Sequence, residues 1–326
     1  MAMIEHEPAL AALDRPRIET ELVNPHTIAF ATATFYKKWQ PLAVGAIRDE
    51  ADVDGIRGDL ALKTLAAARL NRFQIAVVDG GSSEAFREAL TETIGKPPSD
   101  EQQRGMSQSR RQVFGEASEL KGIKVIAWVE PEKVTMATGE NLQRAALPIL
   151  QGHADVVVPK RDEFAFITYP YYQTNWEQES NREFNAKLKE NGLLPQDAEE
   201  LDMWFGPRLF RNEPEVLKLF MHQWEKDATH SNKEDKEMNP DLWAGAIFLP
   251  VIGQLYKDKL DLKPPRVASV TMDYVHPDEQ TRTEQNNDKF RAKRELQSCN
   301  ILHAATALIE VFNYDSTHGS LYRPLK

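Results

Sequence analysis

The sequence predicts an α/β fold with a mostly parallel central sheet flanked by helices, and two observations carry that expectation. Short, uncharged, β-branched runs alternate with longer segments of helical periodicity through the first half of the chain, the pattern of a sheet covered on both faces. Those runs also stop abruptly at polar residues, so several strands would deliver side chains to one sheet edge, where open parallel sheets collect ligands. With 326 residues, 41% hydrophobic and 28% charged, the chain can bury a large core as one domain or as two closely fused lobes.

Thr27–Ala33 is the first strand by this reading, followed by a helix over 59–71 with Leu60, Leu62, Leu65, Ala66 and Leu70 at helical spacings. Gln74–Val78 is the second strand. It stops at Asp79-Gly80-Gly81, and Ser82 or Ser83 is placed to cap a helix over 84–95. A polar loop over 97–105, a helix over 107–120, a strand over 124–129, a helix over 142–150 and a strand over 154–158 ending at Pro159 complete the first half. The second half is mixed. Helices are expected over 175–191, 215–226, 243–256 and 288–313, a strand over 266–272, and a hydrophilic loop over 230–239. Residues 1–23 read as a loosely attached leader, and no internal repeat is visible.

The formal charge of −10 argues against a nucleic-acid partner, because backbone-binding domains carry a basic excess. No segment approaches the roughly 18 consecutive apolar residues that span a bilayer, and the first residues lack a secretory pattern, so the cytoplasm is the expected compartment. Cys299 is the single cysteine; no intrachain disulfide is possible, and a buried, inert thiol is expected.

Several residues stand where chemistry is expected: Asp79 after the second strand, Glu130 and Glu132 after the third, Lys160 and Arg161 after the fourth. Glu130-Pro131-Glu132 reads either as an oxygen-ligand pair for a hard cation such as magnesium or manganese or as a solvated acidic turn. Gly105 leads a helix carrying Arg110 and Arg111, where helix-start amides and guanidinium groups suit phosphate oxygens; the alternative is ordinary surface charge. His276, after the strand over 266–272, is either a metal ligand or a loop residue. The cations Arg282, Lys289, Arg291, Lys293 and Arg294 are either a phosphate site or one solvated helix face.

Taken in order, Val78-Asp79-Gly80-Gly81, Gly105 to Arg110-Arg111, Glu130-Pro131-Glu132, Trp204-Phe205-Gly206-Pro207, Asp241-Leu242-Trp243 and His276 resemble the motif series of GT-A glycosyltransferases over about residues 24–294. The late histidine is similar to that of the mannosylglycerate- and glucosylglycerate-synthase-like enzymes. The resemblance implies one continuous GT-A (Rossmann-like) domain, with a nucleotide-sugar-binding half over 24–160 and a helical or mixed acceptor-binding half over 161–326 that ends in a helix. It implies a GDP- or UDP-linked hexose donor lying across Thr32, Asp79 and Arg110. Mn2+ or Mg2+ would be held by Glu130, Glu132 and His276, with Lys160, Arg161, Arg282 and Lys293 adding charge to the diphosphate site. A hydroxyl-bearing small molecule or glycan would be the acceptor. An inverting enzyme needs a carboxylate base, for which Asp202 and Asp241 are the candidates; a retaining enzyme does not. Tyr169, Tyr171, Tyr172, Trp176 and Trp204 are candidates for stacking on a sugar, or for packing. A homo-oligomer is compatible with the sequence. Glutamates stand where the family usually has aspartates, and Ala31-Thr32-Ala33-Thr34 replaces the frequent proline-containing entry. The rival readings are a sugar-nucleotide pyrophosphorylase, which should carry a glycine-rich phosphate loop after the first strand, and a non-catalytic GT-A-fold binding protein.

Overall fold

The computed structural model describes residues 23–226, 265–285, 287–318 and 322–324. The chain runs through β1 (Ile28–Thr34), α1 (Val53–Leu70), β2 (Gln74–Asp79), α2 (Glu84–Ile94), β3 (Ser99–Asp100), α3 (Met106–Ser118) and β4 (Val125–Trp128). It continues through α4 (Val134–Ala137), α5 (Asn141–Leu150), β5 (Val156–Arg161), α6 (Glu163–Ile167), α7 (Tyr171–Glu190), β6 (Arg208–Arg211) and α8 (Pro214–Met221). After β7 (Trp224–Lys226) come β8 (Val267–Met272), α9 (Asp278–Gln285), α10 (Asp288–His318) and β9 (Tyr322–Pro324).

Seven strands form one sheet in the order β3-β2-β1-β4-β6-β5-β8, and β7 pairs with β9 separately. Every pairing in the large sheet is parallel except the two made by β6. Because β6 runs the other way, its first residue, Arg208, lies opposite Trp128 at the end of β4. The loop before β6 therefore arrives at the same edge as the carboxyl ends of β1, β2, β4, β5 and β8.

Side-chain alternation divides the core into two layers. Ala29, Ala31, Ala76, Val78, Ile126, Trp128, Val156 and Val158 pack with α3, α7, α8 and α10, whereas Ile28, Phe30, Ile75, Val77, Val125, Ala127 and Val157 pack with α1, α2, α4 and α5. The strands are apolar on both faces because both faces are covered. Phe114 on α3 is a junction of the first layer, meeting Trp128, Phe210 and Phe220 edge-on at 5.2–5.8 Å.

The expected strands and most helices are present, with instructive differences. α1 begins at Val53, six residues before the expected start, because Asp52 caps it by accepting from Gly55 N at 2.9 Å. β5 runs through Pro159 to Arg161; β6 pairs with it only at Val156 and Val157, so Pro159 owes no hydrogen bond on that side. The helix expected over 215–226 ends at Met221 and gives way to β7. β3, α4, α6, β6 and α9 were not anticipated. The segments over 230–239 and 243–256 lie outside the described residues. Cys299 is exposed on α10, so the expectation of a buried thiol does not hold. No helix among the described residues is long and apolar enough to cross a membrane.

Replacing Phe114 with alanine removes the ring shared by three aromatic partners. The expected loss is about 3–5 kcal/mol of unfolding free energy, read as a lower urea midpoint. A loss below about 1 kcal/mol would show that Phe114 does not organise this layer.

Candidate functional site

Two adjoining cavities open over the middle of the carboxyl edge. The first, about 480 Å³, lies over the ends of β1, β2 and β4 and is closed by α1 and the start of α3. The second, about 230 Å³, lies between the segment after β4, the loop before β6, the segment after β8 and α10. They share Arg57, Met106, Arg110, Glu130 and Glu132, so they form two compartments of one cleft with a charged divide.

Arg110 is the most informative residue of that divide. It is 4% exposed, its guanidinium sits 5.2 Å above the Trp128 ring, and its Nε and Nη1 are buried without a hydrogen-bond partner. Burial, with Arg111 adding to it, lowers its pKa to about 10 despite the opposing pull of Glu130; it remains a cation at neutral pH. An unpaired buried cation on a cavity wall is an anion site in waiting.

Glu130 reaches the divide because position 206 has no side chain: a Cβ on Gly206 would lie 1.3 Å from Glu130 Oε1. Arg208 holds the Gly206 loop by donating to the carbonyls of Met203, Phe205 and Pro207. Glu130 Oε2 is buried without a partner. Glu132 differs. Its Oε1 accepts from Tyr36 Oη at 2.7 Å and lies 3.0 Å from Arg57 Nε, an ion pair by distance that is not aligned as a hydrogen bond. Among the described residues its polar contacts are at that one oxygen.

His276 lines the second cavity at 5% exposure, stacked on Tyr169 at 4.0 Å. Burial first, and then Lys133, Arg294, Arg161 and Arg57, push its pKa well below the usual histidine value, so the ring is neutral. Nδ1 is 3.4 Å from Tyr274 Oη and Nε2 is buried without a partner. Lys133 lies over the rings of Phe205, Tyr274 and Tyr169 at 4.8–5.9 Å, and Arg294 reaches the same cavity from α10.

Glu130, Glu132, Arg110 and His276 are thus brought together as the sequence suggested. The other sequence-derived candidates are placed differently. Asp79 is 1% exposed and its carboxylate is occupied internally: it accepts from Thr34, from Ser82 through both Oγ and N, from Gly81 N and from Arg87, at 2.5–3.2 Å. It builds the turn after β2 and has no free acceptor for a base. Thr32 is buried beneath the cavity floor, and Thr34, two residues on, lines the cavity instead.

Asp202 is not available as a base. Arg161 grips it through Nε at 2.7 Å, Nη2 at 2.8 Å and its backbone N at 3.1 Å, and Asn181 and Phe205 N donate to it as well. Burial would raise its carboxyl pKa, but Arg161 overrides that and holds it below the usual range. Arg161, also paired with Glu177, is equally committed. Lys160 pairs with Glu199 at 2.5 Å and faces a separate cavity that shares no lining residue with the cleft. Arg282 pairs with Asp278 beside another separate cavity, and Lys293 is exposed on α10. Asp241 lies outside the described residues.

Sequence reading missed Tyr36, Arg57, Lys133 and Glu101, and did not single out Arg294. Arg57 was legible in principle, since Asp52 and Asp54 are helix-start residues that place it on the first turns of α1. Arg294, Gln297 and Ile301 line one cavity at helical spacing, a face that Lys293 does not share.

Neither a family model nor a curated protein sequence matches this chain. Solved structures do. Glucosyl-3-phosphoglycerate synthase from Mycobacterium tuberculosis, crystallised with phosphoglyceric acid, aligns at TM-score 0.51 and 8% identity over 86% of this chain and 80% of its own. The same enzyme with Mn2+, UDP and glucosyl-3-phosphoglycerate gives 0.48 at 9% identity over the same shares. A putative nucleotide-diphospho-sugar transferase from Desulfovibrio desulfuricans gives 0.36 at 9%, over 86% of this chain and 98% of that one. The first likeness, with the strand order described above, decides the architecture. This chain has the GT-A fold. Within it, the cleft of the GT-A chain lies at the carboxyl edge of the sheet, beside the antiparallel strand β6.

The Asp202–Arg161 pair yields a stability prediction. Asp202→Asn leaves Arg161 less compensated and is expected to cost about 3–5 kcal/mol at neutral pH. A carboxyl held below its unfolded pKa stabilises the fold above that pKa and loses the contribution as pH falls through the folded one. The gap between wild type and variant in urea unfolding should therefore shrink on acidification; a gap independent of pH would contradict the assignment.

Proposed function

We propose that this chain is a glycosyltransferase that moves a hexose from a nucleotide-diphosphate sugar to a hydroxyl-bearing acceptor, assisted by Mn2+ or Mg2+. The observation that carries the reading is Arg110, a buried, unpartnered guanidinium on the wall common to two cavities, one of nucleotide size and one of acceptor size. The shared fold with an enzyme crystallised with phosphoglyceric acid supports it.

In the transfer, the bond between the anomeric carbon and the diphosphate oxygen breaks, the acceptor oxygen bonds to that carbon, and the acceptor's proton passes to the departing diphosphate. Charge grows on the departing diphosphate. Arg110 and Arg57, fixed on the divide by Trp128 and Glu132, would meet that charge without reorganising, which is where preorganised donors contribute most.

The chain's donor atoms fit a hard divalent cation. Glu130 Oε2 and His276 Nε2 are buried without partners, and Glu130, Glu132 and His276 line one cavity. When bound, the ion would act as a Lewis acid on the diphosphate. Among the described residues no three His, Cys, Asp or Glu side chains form a preassembled cluster for a metal. Phosphate oxygens are therefore expected to complete the shell, as is common for Mg2+. Tyr36 positions Glu132, and its own hydroxyl stays protonated because burial, followed by Glu132, raises its pKa.

The second compartment suits a small acceptor carrying negative charge. Lys133 keeps its proton: burial opposes the charge, but Tyr169 and Glu130 together outweigh it and raise the pKa above the usual lysine value. Arg294 stands on the opposite wall. Phosphoglyceric acid, the molecule held by the fold neighbour, belongs to that chemical class.

Donor hydrolysis and transfer, measured over a panel of nucleotide sugars with and without EDTA, test the reading. Activity should depend on the metal. Mn2+ alone should leave the melting temperature nearly unchanged, whereas Mn2+ with the right nucleotide should raise it. Arg110→Ala should weaken nucleotide binding by about ten- to a hundredfold, the loss of a charge-assisted hydrogen bond. No turnover of any nucleotide sugar, together with no thermal shift from any nucleotide plus Mn2+, would defeat the proposal.

A further inference from the structure

The mouth of the larger cavity carries features that the transfer chemistry does not use. Phe35 stands at the rim with 57% of its surface exposed, and Lys37 lies over its ring at 5.1 Å. Glu101, just past β3, lines the same cavity. Its Oε1 is held by the Ser109 hydroxyl and, more weakly, by Gly105 N at 3.4 Å. Between these two residues lies Gly80. A Cβ there would sit 3.2 Å from the Phe35 ring and 3.6 Å from Glu101 Oε2, so the glycine lets an aromatic ring and a carboxylate oxygen approach the same turn and share one wall of the cavity mouth. Arg104 lines the cavity nearby.

Resting on the nucleotide-sugar reading, we propose that Glu101 selects a guanine base, so that the donor is a GDP-sugar. An ionised carboxylate only accepts hydrogen bonds. Guanine offers it N1–H and the N2 amine side by side. Uracil offers N3–H between two carbonyl oxygens, while adenine and cytosine set a ring-nitrogen acceptor beside their amines. A carboxylate fixed through Oε1 therefore favours guanine, tolerates uracil and disfavours the other two. Phe35 supplies the stacking face, and stacking alone is insensitive to base identity. Arg104 suits O6 or N7 of guanine, an arginine–guanine pairing used wherever that edge is read. Asp79 cannot take this role, because its acceptor positions are already filled by Thr34, Gly81, Ser82 and Arg87.

The test is calorimetric binding of GDP, UDP, ADP and CDP, each with Mn2+, to wild type and Glu101→Gln, with inorganic pyrophosphate plus Mn2+ as a base-free control. GDP should bind wild type at least about tenfold more tightly than ADP or CDP and several-fold more tightly than UDP, since sites built to satisfy a base edge reject mismatched ones strongly. Glu101→Gln should reduce that ratio to within about threefold while leaving pyrophosphate affinity unchanged, which also shows that the variant is folded. Equal affinity for all four nucleotides, a preference for another base, or a guanine preference unaltered in Glu101→Gln would each overturn the assignment while leaving the transferase reading intact. Failure of all four nucleotides and of pyrophosphate to bind would overturn both.

Discussion

The placement of Arg110 on Trp128 is the constraint from which the organisation of the cleft follows. Transferring a guanidinium out of water costs several kcal/mol unless its donors are satisfied, and here two of them are not. The fold tolerates this because the Trp128 ring lies beneath the charge at 5.2 Å and Glu130 shares its cavities. Both supports depend on other parts of the chain. Trp128 is held by Phe114 and the aromatic layer behind the sheet, and Glu130 occupies its place only because Gly206 leaves the space. The hydrophobic layer, the antiparallel strand and the glycine loop thus converge on keeping one cation unpaired.

The carboxylates of Asp202, Asp155 and Asp79 follow the opposite rule, with their acceptor positions taken up inside the protein. Asp202 and Arg161 satisfy one another through three hydrogen bonds. Asp155 is shared by Arg211 and Arg266, and its carboxyl is lowered to about 2 chiefly by the hydrogen bond to Arg266, against a smaller effect of burial. Asp79 is filled by its own turn. Each pins a strand end or loop, and none presents an unused donor or acceptor to the cleft. By position in the sequence Asp79, Arg161 and Asp202 look as functional as Glu130 does. What distinguishes them is valence, a property of the partners and not of the motif.

That distinction explains how much was legible beforehand. The strand–helix alternation, the apolar strands and a serine cap of α2, at Ser82 or Ser83, could be read because each is a local pattern with a local cause; the cap is Ser83. The convergence of Asp79, Arg110, Glu130 and His276 on one sheet edge also followed, since parallel strands send their carboxyl ends the same way. Strand β6 did not, because Arg-Leu-Phe-Arg is four residues with charged ends and is a strand only by virtue of β4 and β5 beside it. The choice of Lys293 over Arg294 failed for a geometric reason: adjacent residues on a helix differ by about 100°, so a one-position error turns a cavity residue into a solvated one. Arg57 was lost when the start of α1 was placed after it, at Asp59.

The charged divide also bears on the presence of glutamates where related motifs carry aspartates. A longer side chain needs more room and, once given it, reaches further. Gly206 supplies the room for Glu130, and Tyr36 with Arg57 supplies the restraint for Glu132, fixing one oxygen while the other stays outside those contacts. Pro131 between them limits the backbone so that the two carboxylates share one divide. The extra methylene is therefore matched by a missing Cβ on one side and an added clamp on the other. A shift from aspartate to glutamate that had simply relaxed would leave both carboxylates solvated. Here both line the cavities, with Arg110 between the compartments they separate.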